Sequence, residues 1–565
     1  MDLHIQKQID TWLEDEYDSE TKKTIQSLQK TNPEELHNAF HTELSFGTGG
    51  LRGLMGVGPN RINSYTIRRT TQGVVNYLEK QYPNKKHIAV IGYDNRISSK
   101  EFAEAAASVL AAHGIHVFLS STLCPTPFIS FACRFHKCSF AIMITASHNS
   151  KEYNGYKLFW SDGAQVLSPH LEGIVSEIHQ IKHLAQVRKT SLPNQNVQIL
   201  NSDVKKIYLD AITNLAFRQN MIIREGKNLQ VVYTPLHGTG VTLVPQALGM
   251  LGFSTLHFVK KQMKPDGNFP SVISPNPEQF STLKLGVDLL QKSNSDLLLA
   301  TDPDADRVAV VVQHNGKNIH LNGNEVATLL LYYICISLRD TSHLPKNSAI
   351  VFTIVTTELL RAIADHFCVH SFEVLPGFKY IAEKIRKWDE TEAYRFLFGA
   401  EESCGYLYGN YCRDKDGVAM SCLIAEMALY AKLRDLTLVD LLHEIYERFG
   451  IYQEMQFSLW FPQESHQIQN FMEKVRTSFP EKICGLSIVS CLDYQKEMPG
   501  FPIANVLSLR LKDKTKIVIR PSGTEPKIKI YVMASESYRT SVEHAIHLCH
   551  NKILALLAEI KKTVL

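Results

Sequence analysis

The sequence predicts an α/β protein of several domains whose last part is α+β. Three observations predict it. At 565 residues the chain is too long for one core, since a domain takes roughly 100–200 residues. Short apolar runs alternate with helical stretches over most of the length, the rhythm of a mostly parallel sheet with helices on both faces. The final third breaks that rhythm.

Taken in order, the first forty residues read as helical and polar, and a glycine-dense loop, FGTGGLRGLMGVG (46–58), follows. HIAVIGYD (87–94) reads as a strand. In SSKEFAEAAASVLAAHG (98–114), Ser98 and Glu101 have capping-box spacing and Gly114 is a natural stop. VFLSS (117–121) and SFAIMIT (139–145) are further strands. The alternation recurs through LQVVYTP (229–235) and SDLLLATD (295–302), then through SAIVFTIV (348–355) and FLFGAEE (396–402). TKIVIRPSGTEPKIKIYVMA (515–534) reads as two strands about a turn, and HAIHLCHNKILALLAEI (544–560) as a helix. The polar stretch 188–203 reads as a first linker, with others near 315–325 and 440–455.

Composition is that of a globular protein, 44% hydrophobic and 21% charged, and a net charge of +3 offers no polycation for nucleic acid or an anionic membrane. Eleven cysteines without a CxxC, Cys133 and Cys138 being the closest pair, suit free thiols in a reducing cytoplasm. The N-terminus lacks a basic start followed by an apolar run, so no signal peptide is expected. VATLLLYYICISL (326–338) is too short to span a bilayer and reads as a buried helix. A cytoplasmic multidomain enzyme is the expectation.

In open α/β sheets, ligands sit beyond the C-terminal ends of strands. Four such ends carry unusual polar residues, and a cleft between domains would bring them together. In TDPDADR (301–307), Asp302, Asp304 and Asp306 alternate, so an extended loop turns their carboxylates to one side. Three hard oxygen ligands suit Mg²⁺; the alternative is an acidic solvated loop. An EF-hand is excluded, because Arg307 stands where its glycine falls and Gln313 where its closing glutamate falls. RPSGTEP (520–526), followed by Lys529, joins an arginine fork to two hydroxyls and reads as a phosphate site or an ordinary hairpin turn. GAEES (399–403) sets Glu401 and Ser403 on one side for sugar hydroxyls, or for a helix cap. HGTG (237–240), RDKDG (413–417) and PGFK (376–379) are weak alone. FGTGGLRG lacks the frames of nucleotide loops, and suits delivery of Arg52 to an anion.

TASHN (145–149) places Ser147 at a strand end, with His148 beside it and Lys157 ten residues on. There is no GxSxG elbow for a hydrolase. A helix cap is the bland alternative. The reading that joins the loops is a serine that carries a phosphoryl group beside the aspartate metal site.

TASHN with NGYK, DPDADR, EES with RDKDG, and RPSGTEPK, in this order, resemble the α-D-phosphohexomutase superfamily, which comprises phosphoglucomutases, phosphomannomutases and relatives. The resemblance runs from about Phe46 to the C-terminus. FGTGGLRGLMG and PGFKYI are most similar to its long phosphoglucomutase and phosphopentomutase branch. It implies three related mixed-sheet α/β domains plus a smaller C-terminal α+β domain around a central cleft. The expected division is 1–203 with the phosphoserine loop, 204–320 with the metal loop, 321–448 with the sugar loop and 449–565 with the phosphate loop. Ser147 matches the phosphoserine and, with Asp302, Asp304 and Asp306, the Mg²⁺ ligands. Arg52, His148, Lys157 and Arg307 match groups around the transferring phosphoryl, with Lys157 as proton carrier. Gly377, Lys379, Glu401, Ser403 and Lys415 match substrate contacts. Arg520, Ser522, Gly523, Thr524 and Lys529 match the site of the idle phosphate.

Three departures stand out: Ser150 where proline is usual, Gly49 where alanine or serine is common, and Pro376 where threonine is common. The implied activity interconverts glucose 1-phosphate and glucose 6-phosphate through a bisphosphate, with Mg²⁺ and catalytic glucose 1,6-bisphosphate. A pentose or mannose phosphate mutase, a bisphosphate synthase or a phosphatase uses the same parts, and a non-catalytic sugar-phosphate sensor is the alternative of another class. The expected partners are small sugar phosphates, with no nucleic acid and no membrane, and the expected state is a monomer or homodimer.

Overall fold

A computed structural model describes residues 3–14, 16–45, 50–461, 465–522, 527–538 and 541–564. The chain forms two compact units, Met1–Ala309 with Gly409–Cys422, and Val310–Tyr408 with Leu423–Leu565.

The first unit opens with helices Leu3–Trp12, Ser19–Thr31 and Pro33–Phe40. They are polar overall, yet Ile5, Ile9, Trp12, Ile25, Leu36 and Phe40 gather with Tyr17 into a core of their own. Six strands then build a mixed sheet: β1 (Leu51–Leu54), β2 (Ile88–Tyr93), β3 (His116–Leu119), β4 (Phe140–Ile144), β5 (Tyr153–Trp160) and β6 (Val197–Ile199), in the order β1-β5-β4-β2-β3-β6. β2, β3, β4 and β6 run parallel, and β5 is antiparallel to β4 and β1. Every residue of β4 is buried, which is why it reads as an unbroken apolar run rather than an alternating one.

Helix Ser99–Ala112 ends just before Gly114 as expected, but its start differs from the capping box read in the sequence. Ser98 sits at φ +60° and makes no side-chain cap. Ser99 Oγ instead donates to Asp94 at 2.7 Å. Further on, β7 (Val231–Thr234) runs parallel between β8 (Leu256–Phe258) and β9 (Leu297–Thr301), and β9 is buried throughout.

The second unit holds the turn of an antiparallel hairpin, β10 (Val308–His314) with β11 (Lys317–Leu321), and then the buried helix Gly323–Asp340. Four strands, β12 (Ser348–Thr353), β13 (His370–Val374), β14 (Arg395–Glu401) and β15 (Gly405–Tyr408), form a mixed sheet in the order β13-β12-β14-β15. The last sheet is antiparallel throughout: β16 (Ile451–Trp460), β17 (Lys482–Ile483), β18 (Leu486–Asp493), β19 (Leu507–Leu511), β20 (Lys516–Pro521) and β21 (Lys527–Glu536), ordered β16-β21-β20-β19-β18-β17. Helix Val542–Val564 packs on β16 and β21.

The stretches read as linkers carry structure. β6 falls within 188–203, β11 within 315–325, and helix Leu438–Phe449 with the start of β16 fills 440–455. Among the described residues no helix is long and apolar enough to cross a membrane. All eleven cysteines are free.

Candidate active site

Burial of β4 drives the chain straight into the serine loop. Beyond Ile144 the backbone turns, and Ser147 adopts φ +53°, a left-handed conformation that costs a non-glycine residue roughly 1–2 kcal/mol. Its N–H donates to Thr145 Oγ1 at 2.8 Å. Its Oγ donates to Asp302 Oδ2 at 3.0 Å and lies 3.2 Å from His148 Nδ1. No helix starts here, so Ser147 is not a cap. A carboxylate that bonds the serine itself is not the relay order of a hydrolase triad. Gly155 lets β1 and this loop approach: a Cβ there would lie 2.5 Å from both Leu51 O and Thr145 O.

Asp302, Asp304 and Asp306 follow the buried β9 and are themselves at most 1% exposed, which removes the solvated-loop reading. Their ligand oxygens lie within 4.8 Å of one another. Arg307 N–H donates to Asp302 Oδ1 at 3.0 Å. Thr126 Oγ1 donates to Asp304 Oδ2 at 2.6 Å. Lys157 Nζ donates to Asp304 at 2.6 Å and to Asp306 at 2.9 Å, and Lys415 Nζ lies 2.9 Å from Asp306. Two buried oxygens, Asp304 Oδ1 and Asp306 Oδ1, have no hydrogen-bond partner among the described residues, although Arg307 Nε lies 3.9 Å from Asp306 Oδ1. Leaving a buried carboxylate oxygen unpaired is costly, and hard oxygens converging this closely fit a divalent cation.

The charges here are strongly coupled. Burial, reinforced by Asp304 and Asp306, pushes the Asp302 carboxyl well up. Burial opposes ionisation of Asp306 too, but Lys157, Lys415 and Arg307 hold its carboxyl far below the usual range. Burial would lower the Lys157 ammonium, yet Asp304 and Asp306 raise it. Burial, then the cations Arg307 and Arg52, push His148 well down, so it stays neutral.

Arg52, on β1, donates from Nη1 to Asn149 Oδ1 at 3.2 Å. Arg307 Nη1 pairs with Glu278, and Ser274 Oγ donates to the His148 carbonyl at 3.2 Å. The RDKDG loop is anchored in the first unit. Arg413 N–H donates to Ser130 Oγ, and Asp416 accepts from Tyr208 and Tyr411. The first unit therefore gathers Arg52, Ser147, His148, Lys157, Asp302, Asp304, Asp306, Arg307 and Lys415. His237 stays apart, bonded to Ser271 and the Lys264 carbonyl, as a loop histidine.

In the second unit the PGFK and GAEES loops meet. Gly377 N–H donates to Glu401 Oε1 at 3.0 Å, and Gly377 sits at φ +127°, which favours glycine. Ser403 lies between β14 and β15. Burial lowers the Lys379 ammonium. Arg520 and Lys529 are cross-strand partners on β20 and β21, and Ser522 N–H donates to the Lys527 carbonyl at 2.8 Å. Gly523 and Thr524 lie outside the described residues. Sequence reasoning missed Thr126, Asn149 and Glu278. Only the last carried a signal, an acid that follows two prolines in SPNPE.

Comparison with known proteins gives a consistent picture. Models of the phosphoglucomutase/phosphomannomutase alpha/beta/alpha domains I, II and III match residues 43–185, 206–316 and 322–449. The chain is 37% identical over 540 residues to a phosphoglucomutase of Staphylococcus haemolyticus, covering 93% of this chain and 95% of that protein. It is 39% identical over 513 residues to one of Staphylococcus aureus, covering 88% and 91%. The open form of the Paramecium exocytosis-sensitive phosphoprotein parafusin, a phosphoglucomutase, shares the fold at 18% identity, with a TM-score of 0.70 over 92% of this chain and 96% of that one.

Proposed function

This chain belongs to the phosphoglucomutase/phosphomannomutase family of the α-D-phosphohexomutase superfamily, and we infer that it is a phosphoglucomutase, an isomerase-class enzyme. It interconverts glucose 1-phosphate and glucose 6-phosphate through a phosphoserine and glucose 1,6-bisphosphate, which also serves as activator. The observation that carries the reading is Ser147 Oγ at 3.0 Å from Asp302 Oδ2, at the rim of a buried three-carboxylate cluster.

In the proposed cycle, phosphorylated Ser147 gives its phosphoryl group to the free hydroxyl of the sugar monophosphate. The bisphosphate turns around, and Ser147 takes back the other phosphoryl group. The family implies a metal ion. Asp302, Asp304, Asp306 and the phosphorylated Ser147 would hold Mg²⁺, which supplies Lewis-acid stabilisation of the phosphoryl group. Lys157 carries the proton of the reacting sugar hydroxyl. Arg52, Arg307 and neutral His148 donate hydrogen bonds to the phosphoryl oxygens. Lys415, Glu401, Ser403, Gly377 and Lys379 contact the sugar. Arg520, Ser522, Gly523, Thr524 and Lys529 hold the idle phosphate. Eleven free thiols suit work in a reducing cytoplasm.

The test is a comparison of kcat/KM for glucose 1-phosphate, mannose 1-phosphate and ribose 1-phosphate with Mg²⁺ and trace bisphosphate. Glu401 and Ser403 make hydrogen bonds that a displaced hydroxyl leaves unpaired, so glucose is favoured over mannose. A preference for either other sugar overturns the gluco assignment.

A further inference from the structure

β2 ends at Tyr93, and the chain continues Asp94-Asn95-Arg96. Arg96 is 3% exposed and stacks 5.0 Å from the Phe269 ring. A buried guanidinium in a globular chain needs partners for its charge and its donors. Arg96 takes them from the serine loop. Nη1 donates to the carbonyls of Ser150 at 2.7 Å and Tyr153 at 2.9 Å. Nη2 donates to the Ser147 carbonyl at 2.7 Å and to that of Asn149.

Asp94 organises the same loop from the other side. Its Oδ2 lies 3.3 Å from Arg96 Nε and accepts from Thr145 Oγ1 at 2.6 Å. Thr145 Oγ1 in turn accepts the Ser147 N–H at 2.8 Å. Oδ1 accepts the Arg96 N–H at 2.9 Å and Ser99 Oγ at 2.7 Å. Both backbone groups of Ser147 are thus fixed by partners that Asp94 holds. Ser147 is also the loop residue with the strained positive φ, and that φ aims Oγ at Asp302. Strain of this kind persists only where the surroundings over-determine it.

We propose that Arg96, set by Asp94, is a positioning residue for phosphoryl transfer: it clamps Ser147 in the left-handed conformation that keeps Oγ at the aspartate cluster. The inference rests on Ser147 being the phosphoryl carrier. Arg96 bonds no group assigned to the sugar or the idle phosphate, so the clamp acts on kcat and leaves KM alone. Lysine retains the charge opposite Asp94, but it has three donors on one nitrogen and cannot span four carbonyls as the planar fork does.

The experiment uses the full chain with Arg96→Lys and Arg96→Met. It reads kcat and KM for glucose 1-phosphate, the fraction of Ser147 phosphorylated after exposure to glucose 1,6-bisphosphate, and the thermal midpoint. A displacement near 1 Å costs on the order of 100-fold, so Arg96→Lys should lose about that much kcat, with KM within about threefold. Phosphorylation of Ser147 should slow in parallel. Arg96→Met leaves Asp94 uncompensated and is less stable; if it does not fold, Arg96→Lys decides alone. Wild-type kcat in Arg96→Lys overturns the proposal. So does a kcat loss that vanishes well below its thermal midpoint, or a rise confined to KM. If the wild type turns over without phosphate on Ser147, the carrier assignment itself has failed, a result separate from any of these.

Discussion

Thr126→Val should raise the Mg²⁺ concentration for half-maximal activity about 10–100-fold, the range seen when a metal ligand loses its supporting hydrogen bond. Valine nearly matches threonine in shape and puts a methyl group where the hydroxyl was. That hydroxyl donates at 2.6 Å to Asp304 Oδ2, while Asp304 Oδ1 has no hydrogen-bond partner among the described residues. Thr126 is fully buried, and its N–H also donates to the Asp304 carbonyl at 2.9 Å. The backbone contact survives the substitution, so the helix that starts at Thr126 keeps its place. A hydrogen bond to a charged group contributes roughly 1.5–3 kcal/mol. Asp304 would keep Lys157 but lose the contact that fixes its carboxylate plane. The assay is Mg²⁺ titration of mutase activity at saturating glucose 1-phosphate, with calorimetric Mg²⁺ binding beside it. An unchanged Mg²⁺ requirement in a folded Thr126→Val enzyme would refute the claim that Thr126 orients a metal ligand.

Ser147→Ala should fold and lose turnover by several orders of magnitude, and intact mass should show a phosphate adduct in the wild type only; full activity in the variant sinks the carrier role. Arg520→Ala should lower kcat/KM roughly 10–200-fold, the range expected for a charge-assisted contact, and Ser147 should still become phosphorylated. Glu358 gives a pH prediction. Burial opposes its charge, but Lys516, Arg510 and Arg361 pull its carboxyl down from 4.5 to about 2. A depressed carboxyl stabilises the fold above its unfolded value, and the gain is lost as pH falls through its folded value. The stability difference between wild type and Glu358→Gln should therefore shrink between about pH 4.5 and 2 in denaturant titrations. A constant difference across that window would show that the pairs contribute nothing net.

The fold was legible where burial writes a pattern. β4, β9 and β12 are buried along their whole length, and each stands out as an apolar run. β6 was not legible, because Val197–Ile199 is a three-residue edge strand with two exposed positions and so carries no run. The N-terminal helices look polar in sequence because the few apolar residues of their buried stripe are outnumbered by polar and charged ones. At Ser98 the spacing of a capping box was present, but the Asp94 carboxylate nearby captured Ser99 and left Ser98 in a turn. A local motif yields when a buried charge offers a stronger partner.

The candidate site divides along the same line. Ser147, Asp302, Asp304 and Asp306 were legible because a strand buried to its last residue must release the chain into polar loops, and those loops are short and follow directly on β4 and β9. Their supports come from far away in the chain. Thr126 bonds Asp304 across 178 residues and Arg52 bonds Asn149 across 97, and no spacing rule reaches that far. Arg96 is the instructive case, because its stretch YDNR follows β2 much as TASHN follows β4. The two loops leave neighbouring parallel, hydrogen-bonded strands at the same end of the sheet, with Tyr93 paired to Ile144. Parallel neighbours deliver their C-terminal loops side by side, so a charged residue just past one strand can reach the backbone just past the other. An arginine just past the neighbouring parallel strand, with an aspartate two residues before it, is therefore the sequence signal for a clamp on a strand-end serine.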